Sequence, residues 1–225
     1  MSTLTKVVSG MMGQLRPKPA KGNAPASIAL RAPEKRGGLP LMEALSKRQS
    51  SRDFAHDALP LALLSSLLWA AFGINRHSGK RTAPTAINAQ EIDVFVALPT
   101  GAYRYDAAAH ELQLVAGADV RRVTGYQDFV DEAPLDLVFV ADQARMGLVP
   151  VGQRSAFAHV AAGAIAQNVY LFCASNGLAT VIRAWIDRDA IANALGLTHD
   201  QQVLLSQTVG YPKGPRGSQG GGHVA

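Results

Sequence analysis

The stretch KRQSSRDF, Lys47 to Phe54, places three cations and two serines within its first six residues. If the chain is extended here, Arg48, Ser50 and Arg52 project to one side. If it stays helical, Arg48 and Arg52 share a face one turn apart and Ser50 points elsewhere. In both cases two guanidinium forks lie close together, and each can donate two parallel charge-assisted hydrogen bonds to a phosphate. The run also suits a solvated helix end, the commoner use of clustered charge. A second basic pair, Lys213 and Arg216 in GYPKGPRG, follows the last apolar segment. Its glycines let backbone N–H groups approach an anion closely. A third polar stretch, RTAPTAINAQE, offers the Thr85 hydroxyl and the amides of Asn88 and Gln90 beside Pro84. Amides both donate and accept, so they fit the edge of a ring bearing carbonyls and nitrogens as well as ordinary loop capping.

Other chemistries find little support. The single cysteine, Cys173, excludes an internal disulfide framework and multi-cysteine metal sites, and in the apolar run VYLFCAS it reads as a buried thiol. The six histidines are scattered with no i, i+4 pair, so a metal centre is not expected. There is no G-x-G-x-x-G, no Walker-type loop and no G-x-S-x-G elbow. The acids of DEAPLD and IDRDA read as helix-start residues rather than a catalytic pair. Anion-binding and amide groups without an evident nucleophile point to chemistry carried by a bound cofactor.

The elements that must position these groups follow from patterning. The 225 residues, 48% hydrophobic and 17% charged, describe a globular domain able to bury a core without disulfides or metal. The net charge of +5 favours anionic partners in general. The N-terminus lacks a signal-peptide apolar region, and the expectation is a cytoplasmic protein. Residues 1–38, rich in Pro, Gly, Lys and Ala, read as a flexible arm. Helices are expected at LPLMEALSKR, from Pro60 to Gly73, around a break at Gly125, over Ser155–Ser175 and at DRDAIANALGL. Strands are expected at EIDVFVAL, in the pair AYRYDAAAHELQLV, at LDLVFVAD and at QQVLLSQTVGYP, with LATVIRAWI a short strand or extended loop. LDLVFVAD is nearly continuously apolar, the mark of a strand buried on both faces. Residues 217–225 read as a disordered glycine-rich tail. Ala156–Ala174 approaches membrane-spanning length, but His159, Gln167, Asn168 and its many alanines fit a buried soluble helix. Irregular mixing of helices and strands favours an α+β fold over a doubly wound sheet.

The order RQSSR, RTAPTAINAQE, AAGAIAQNVYLFCASNGLATV, VGYPKG resembles the nitroreductase family of FMN-dependent oxidoreductases, and in particular its short branch near the SagB-type dehydrogenases. The resemblance runs from about Gly38 to Gly214 and implies one FMN-binding domain over residues 39–216. It implies a mixed, mostly antiparallel sheet flanked by helices, with four strands extended by the C-terminal strand of a partner in a homodimer. Arg48 and Arg52 would hold the FMN phosphate and ribityl region, with Gln49 and Ser50 adding hydrogen bonds and Lys213 and Arg216 closing on the phosphate. Pro84, Thr85, Ala86 and Asn88 correspond to the family's Pro-Ser-Ser-x-Asn loop, which reaches the flavin of the other subunit; Ala86 lacks the family's hydroxyl. Gln127 matches a position facing the ribityl chain or ring edge. Ile182, Arg183 and Ala184 align with the loop whose backbone N–H addresses the reactive flavin nitrogen, although a glutamate often found there is missing. The resemblance implies hydride transfer from NADH or NADPH through FMN to a small molecule such as a nitroaromatic or quinone, with no nucleic-acid or membrane partner. Two other readings compete. One is SagB-like oxidation of a modified peptide or other small molecule. The other is a non-enzymatic basic module, whose binding would fall steeply with salt.

Overall fold

A computed structural model describes residues 1–214 of the chain. Arg216 and the glycine-rich tail lie outside the described residues. The framework is a seven-stranded sheet in the order β2-β5-β4-β3-β7-β9-β8. Its strands are β2 (Ser27–Ala29), β3 (Ile92–Leu98), β4 (Gly101–Asp106), β5 (Glu111–Ala116), β7 (Leu135–Asp142), β8 (Ala179–Arg183) and β9 (Gln201–Gly210). Two short strands, β1 (Lys18–Pro19) and β6 (Ala118–Asp119), pair apart from it. Every pairing among the described residues is antiparallel. The α+β fold with a mostly antiparallel sheet thus stands, but one chain supplies a seven-stranded sheet where the resemblance implied four strands.

Side-chain alternation along β3 and β7 builds two cores. Ile92, Val94, Val96, Leu135, Leu137 and Phe139 face one side, under α3 (Leu61–Phe72) and α4 (Val151–Ser175). Phe95, Ala97, Val138 and Val140 face the other, under α5 (Arg188–Leu195) and two 3-10 turns at Arg121–Thr124 and Asp128–Asp131. This two-sided burial is what the unbroken apolar run of β7 demanded. A truncation such as Phe139→Ala, at a residue with no exposed surface, removes about 3–5 kcal/mol through the cavity it leaves. Pro60 stands at the N-terminal boundary of α3 and Gly73 caps its end. Gly196, at φ 63°, ends α5 in the left-handed region that glycine tolerates. A short α2 (Leu41–Lys47) also packs on α4. Among the described residues, α4 is the one helix long and apolar enough to cross a membrane, yet it packs on the sheet and on α3. It begins four residues before the expected Ser155, directly after Pro150.

Residues 1–38 are not a structureless arm. They contain α1 (Thr3–Met11), β1 and β2, and β2 forms an edge of the main sheet against β5. Lys6 on α1 is fully buried, donating to Asp131 at 2.6 Å and to the Gln127 carbonyl at 2.9 Å. Ser65 and Ser66, two serines inside the apolar α3, accept the N–H groups of Arg31 and Glu34 and so tie this segment to the helix. The segment is held by β2 pairing, by these polar ties and by Leu15 in the second core rather than by a periodic apolar face.

Candidate active site

The segment after α2 is extended. Arg48 leaves the helix at φ −59°, ψ 121°, and Ser51 N–H donates to the Thr180 carbonyl at 3.0 Å, laying the chain along the outer edge of β8. Ala55 N–H donates to the Tyr211 carbonyl at 2.8 Å, Lys213 N–H donates to the Asp53 carbonyl at 3.2 Å, and Phe54 bridges to Pro212. The two basic stretches seen in sequence are therefore neighbours, and Arg52 and Lys213 are both exposed on them. Gly210 makes the approach possible: a Cβ there would lie 2.6 Å from Pro134 Cδ and 3.2 Å from Phe54 Cδ1.

One residue at the centre of this region escaped the sequence reading. Tyr170 of α4 accepts the Ile182 N–H at 3.0 Å, and its hydroxyl pairs with Ser50 Oγ at 2.8 Å. The Arg48 guanidinium lies 5.2 Å from the centre of the Tyr170 ring. A cavity of about 440 Å³ opens beside it, bounded by Lys47, Gln49, Tyr170, Cys173, Thr180 and Pro212. Burial pushes the Cys173 thiol far up, so it remains protonated.

The three backbone donors expected at the end of β8 are not equivalent. Alternation turns Thr180 and Ile182 outward and Val181 and Arg183 toward β9. The Ile182 donor is occupied by Tyr170. Ala184 is the next outward residue, and its N–H has no hydrogen-bond partner among the described residues. The Arg183 side chain is also committed elsewhere. It is 6% exposed, stands on the face opposite α4, donates to Asp136 Oδ1 at 2.8 Å and lies over Phe129. Burial lowers its affinity for the proton and Asp136 opposes that shift. Thr208 Oγ1 donates to the same Asp136 oxygen. Gln127 belongs to this second group: a Cβ on Gly125 would lie 2.7 Å from Arg183 Nη1 and 2.9 Å from Gln127 Oε1. The structure thus brings Gln127 and Arg183 together, across the sheet from Tyr170 and Ser50.

The loop Pro84–Asn88 lies at neither place. It carries a 3-10 turn, Ala86–Asn88, with Ile87, Asn88 and Gln90 at φ 51°, 56° and 49°. Left-handed backbone at three non-glycine residues stores about 1–3 kcal/mol each, held here by a hydrogen-bonded frame. Thr85 Oγ1 accepts the Gln90 N–H at 2.9 Å, and Gln90 Oε1 accepts from Arg81 Nε at 2.9 Å. Arg145 Nη1 donates to the Gln90 carbonyl, fixing the loop near the Asp142 end of β7, whereas Lys213 follows from the Leu135 end. Eight residues of strand separate these ends, roughly 23 Å at 3.3 Å per step.

Residues 45–211 match the family described as the nitroreductase family. The chain is 49% identical to a Ralstonia eutropha JMP134 protein whose crystal structure is described as that of a nitroreductase. The match covers 89% of this chain and 96% of that one, with a TM-score of 0.86. An Anabaena variabilis structure under the same description shares the fold at 22% identity and TM-score 0.70, over 83% of this chain and 42% of that one. A Methanocaldococcus jannaschii protein carrying the nitroreductase name is 29% identical over 160 residues, 66% of this chain and 81% of its own length. The family match marks the chain as an oxidoreductase. The chain belongs to the nitroreductase family.

Proposed function

We propose that this oxidoreductase binds FMN and passes hydride from NADH or NADPH to an organic acceptor such as a nitroaromatic or quinone, acting as a homodimer with its sites at the interface. One observation carries the reading: the segment with Arg48 and Arg52 is tied to the outer edge of β8 at Thr180 and to the Lys213 segment at Asp53 and Ala55, and the β8 edge continues to an unpaired Ala184 N–H. That donor set fits a phosphate at one end and a ring edge with hydrogen-bond acceptors at the other.

Arg48, Arg52 and Lys213 would hold the phosphate, Gln49 and Ser50 would add neutral hydrogen bonds, and Ala184 would donate to the ring edge. FMN, when bound, supplies a carrier that takes up two electrons as hydride and passes them on. The chain's part is to fix orientation, present donors in place and exclude water. The Gln127–Arg183–Asp136 group braces β8 from behind rather than facing the cofactor.

The dimer is supported by what one chain leaves unfinished. The Pro84–Asn88 loop is roughly 23 Å along β7 from the Lys213 end, too far to reach a phosphate held there by its own chain. Ala156, Val160, Gly163 and Gln167 form an exposed stripe along the middle of α4 at helical spacing, with Val160 73% exposed. Leu41, Met42 and Leu45 of α2 are also exposed. A two-fold seam along α4 covers such a stripe and brings each loop toward the partner's basic segment.

Calorimetric titration with FMN tests the reading. Arg52→Ala removes a charge-assisted bond of about 1.5–3 kcal/mol, so affinity should fall roughly 10- to 150-fold. Equal affinity in wild type and variant removes the phosphate assignment.

A further inference from the structure

We infer that Tyr170 is the positioning residue of this site, the joint that seats the anion-binding segment against β8 and decides which edge donor stays open. The inference rests on the FMN reading and adds to it a residue that neither the basic motifs nor the amide loop contains.

Three separate segments meet at this one side chain. Its hydroxyl accepts from Ile182 of β8 and pairs with Ser50, 120 positions away in sequence. Its ring carries Arg48. The chain from Ser51 to Phe54 is held by backbone bonds to Thr180 and to the Tyr211–Lys213 segment. Between α2 and Ser51, the ties to the rest of the domain run through Tyr170: the Ser50 hydroxyl and the Arg48 guanidinium. A tyrosine serving only to fill a core needs one partner for its hydroxyl. Here the oxygen accepts one hydrogen bond and shares another, and both partners belong to segments that form the site.

The consequence for β8 is specific. An edge strand presents alternate N–H groups outward. With Ile182 closed by Tyr170, the open donor lies two residues on, at Ala184. Tyr170 also sits on α4 two residues from Asn168 and three from Gln167, at the end of the exposed stripe. The joint therefore links the seam helix to the anion-binding segment.

Tyr170→Phe keeps the ring and deletes the oxygen. The full-length protein, freed of flavin, is titrated with FMN as wild type, Tyr170→Phe, Ser50→Ala and the double variant, and amide exchange at Ile182 is followed in the same flavin-free proteins. The expected result is a five- to tenfold rise in the FMN dissociation constant for Tyr170→Phe. The double variant should be no weaker than the worse single variant, because both remove one shared bond. Ile182 exchange should accelerate at least tenfold in Tyr170→Phe and stay slow in Ser50→Ala. FMN affinity within twofold of wild type, or additive losses in the double variant, overturns the inference. If wild type binds no FMN, the flavin reading fails on its own. The joint is then judged by Ile182 exchange: acceleration in Tyr170→Phe upholds it and unchanged exchange overturns it. Tyr170→Leu, which also removes the support under Arg48, should bind more weakly than Tyr170→Phe; equal binding also counts against it.

Discussion

Removing Asp131 should damage the protein far more than removing its buried partner Lys6. Asp131 is gripped by Lys6 at 2.6 Å, by Lys18 at 2.6 Å and more loosely by Arg122 at 3.4 Å. Burial pushes its carboxyl up, but the bonds from Lys18 and Lys6 outweigh that and hold it well below the usual range. Lys6 has no exposed surface, and burial lowers its own affinity for the proton. In Asp131→Asn a buried ammonium loses its counter-charge, which destabilises by about 3–5 kcal/mol. In Lys6→Met the carboxylate keeps Lys18, whose side chain is 28% exposed, so the loss is on the order of 1 kcal/mol. The pH dependence separates the two further. A lysine whose folded-state pKa is depressed folds more favourably once pH exceeds that value, up to its unfolded pKa near 10.4. The deficit of Asp131→Asn should therefore shrink between pH 7 and pH 10, while that of Lys6→Met should not, because it is set against a wild type whose own depressed lysine gains stability over the same range. In wild type, the depressed Asp131 contributes stability above its unfolded pKa of about 3.9, lost as pH falls through the folded value. Urea unfolding followed by circular dichroism at pH 7 and pH 10 measures the two deficits, and the same unfolding below pH 4 measures the acid loss. Lys6→Met costing as much as Asp131→Asn, or an Asp131→Asn deficit unchanged by pH, refutes the reasoning.

Glu91 is fully buried with neither carboxyl oxygen hydrogen-bonded, and burial raises its pKa. A raised acid contributes its best stability below its unfolded pKa and loses it as pH climbs, so Glu91→Gln should melt above wild type by a margin that widens from pH 4 to pH 8. A Cβ on Gly163 meets no atom within 4 Å, so Gly163→Leu should leave the monomer fold intact and, through helix propensity, slightly stabilise it. On the proposed seam that side chain collides with the partner, and sedimentation should show monomer; an unperturbed dimer places the seam elsewhere.

How much of this was legible in the sequence depended on the kind of signal each residue carried. β7 and α4 announced themselves because burial dictates their composition along their whole length. α1 inverted the usual code, exposing Leu4, Val8 and Met11 while burying Lys6, so no apolar face marked it as packed. β2 is three residues long with only Ile28 half-buried, too short to show a period. The segment around Gly125 formed two 3-10 turns rather than a helix, bound through Arg121 to Asp119 and through Lys6 to Asp131. At the site, the charged residues stood out, and the segment carrying Arg52 is backbone-bonded to the Lys213 segment through Asp53 and Ala55. Arg183 was identified by position, but strand alternation turned its side chain away. Tyr170 sat inside an apolar run; its hydroxyl, which must find a partner when buried, was the available signal.

The most direct measurement is the visible spectrum of freshly purified protein, before and after anaerobic addition of NADPH or NADH. The account predicts flavin bands that bleach when the reductant is added. A colourless protein that takes up no added FMN would contradict it.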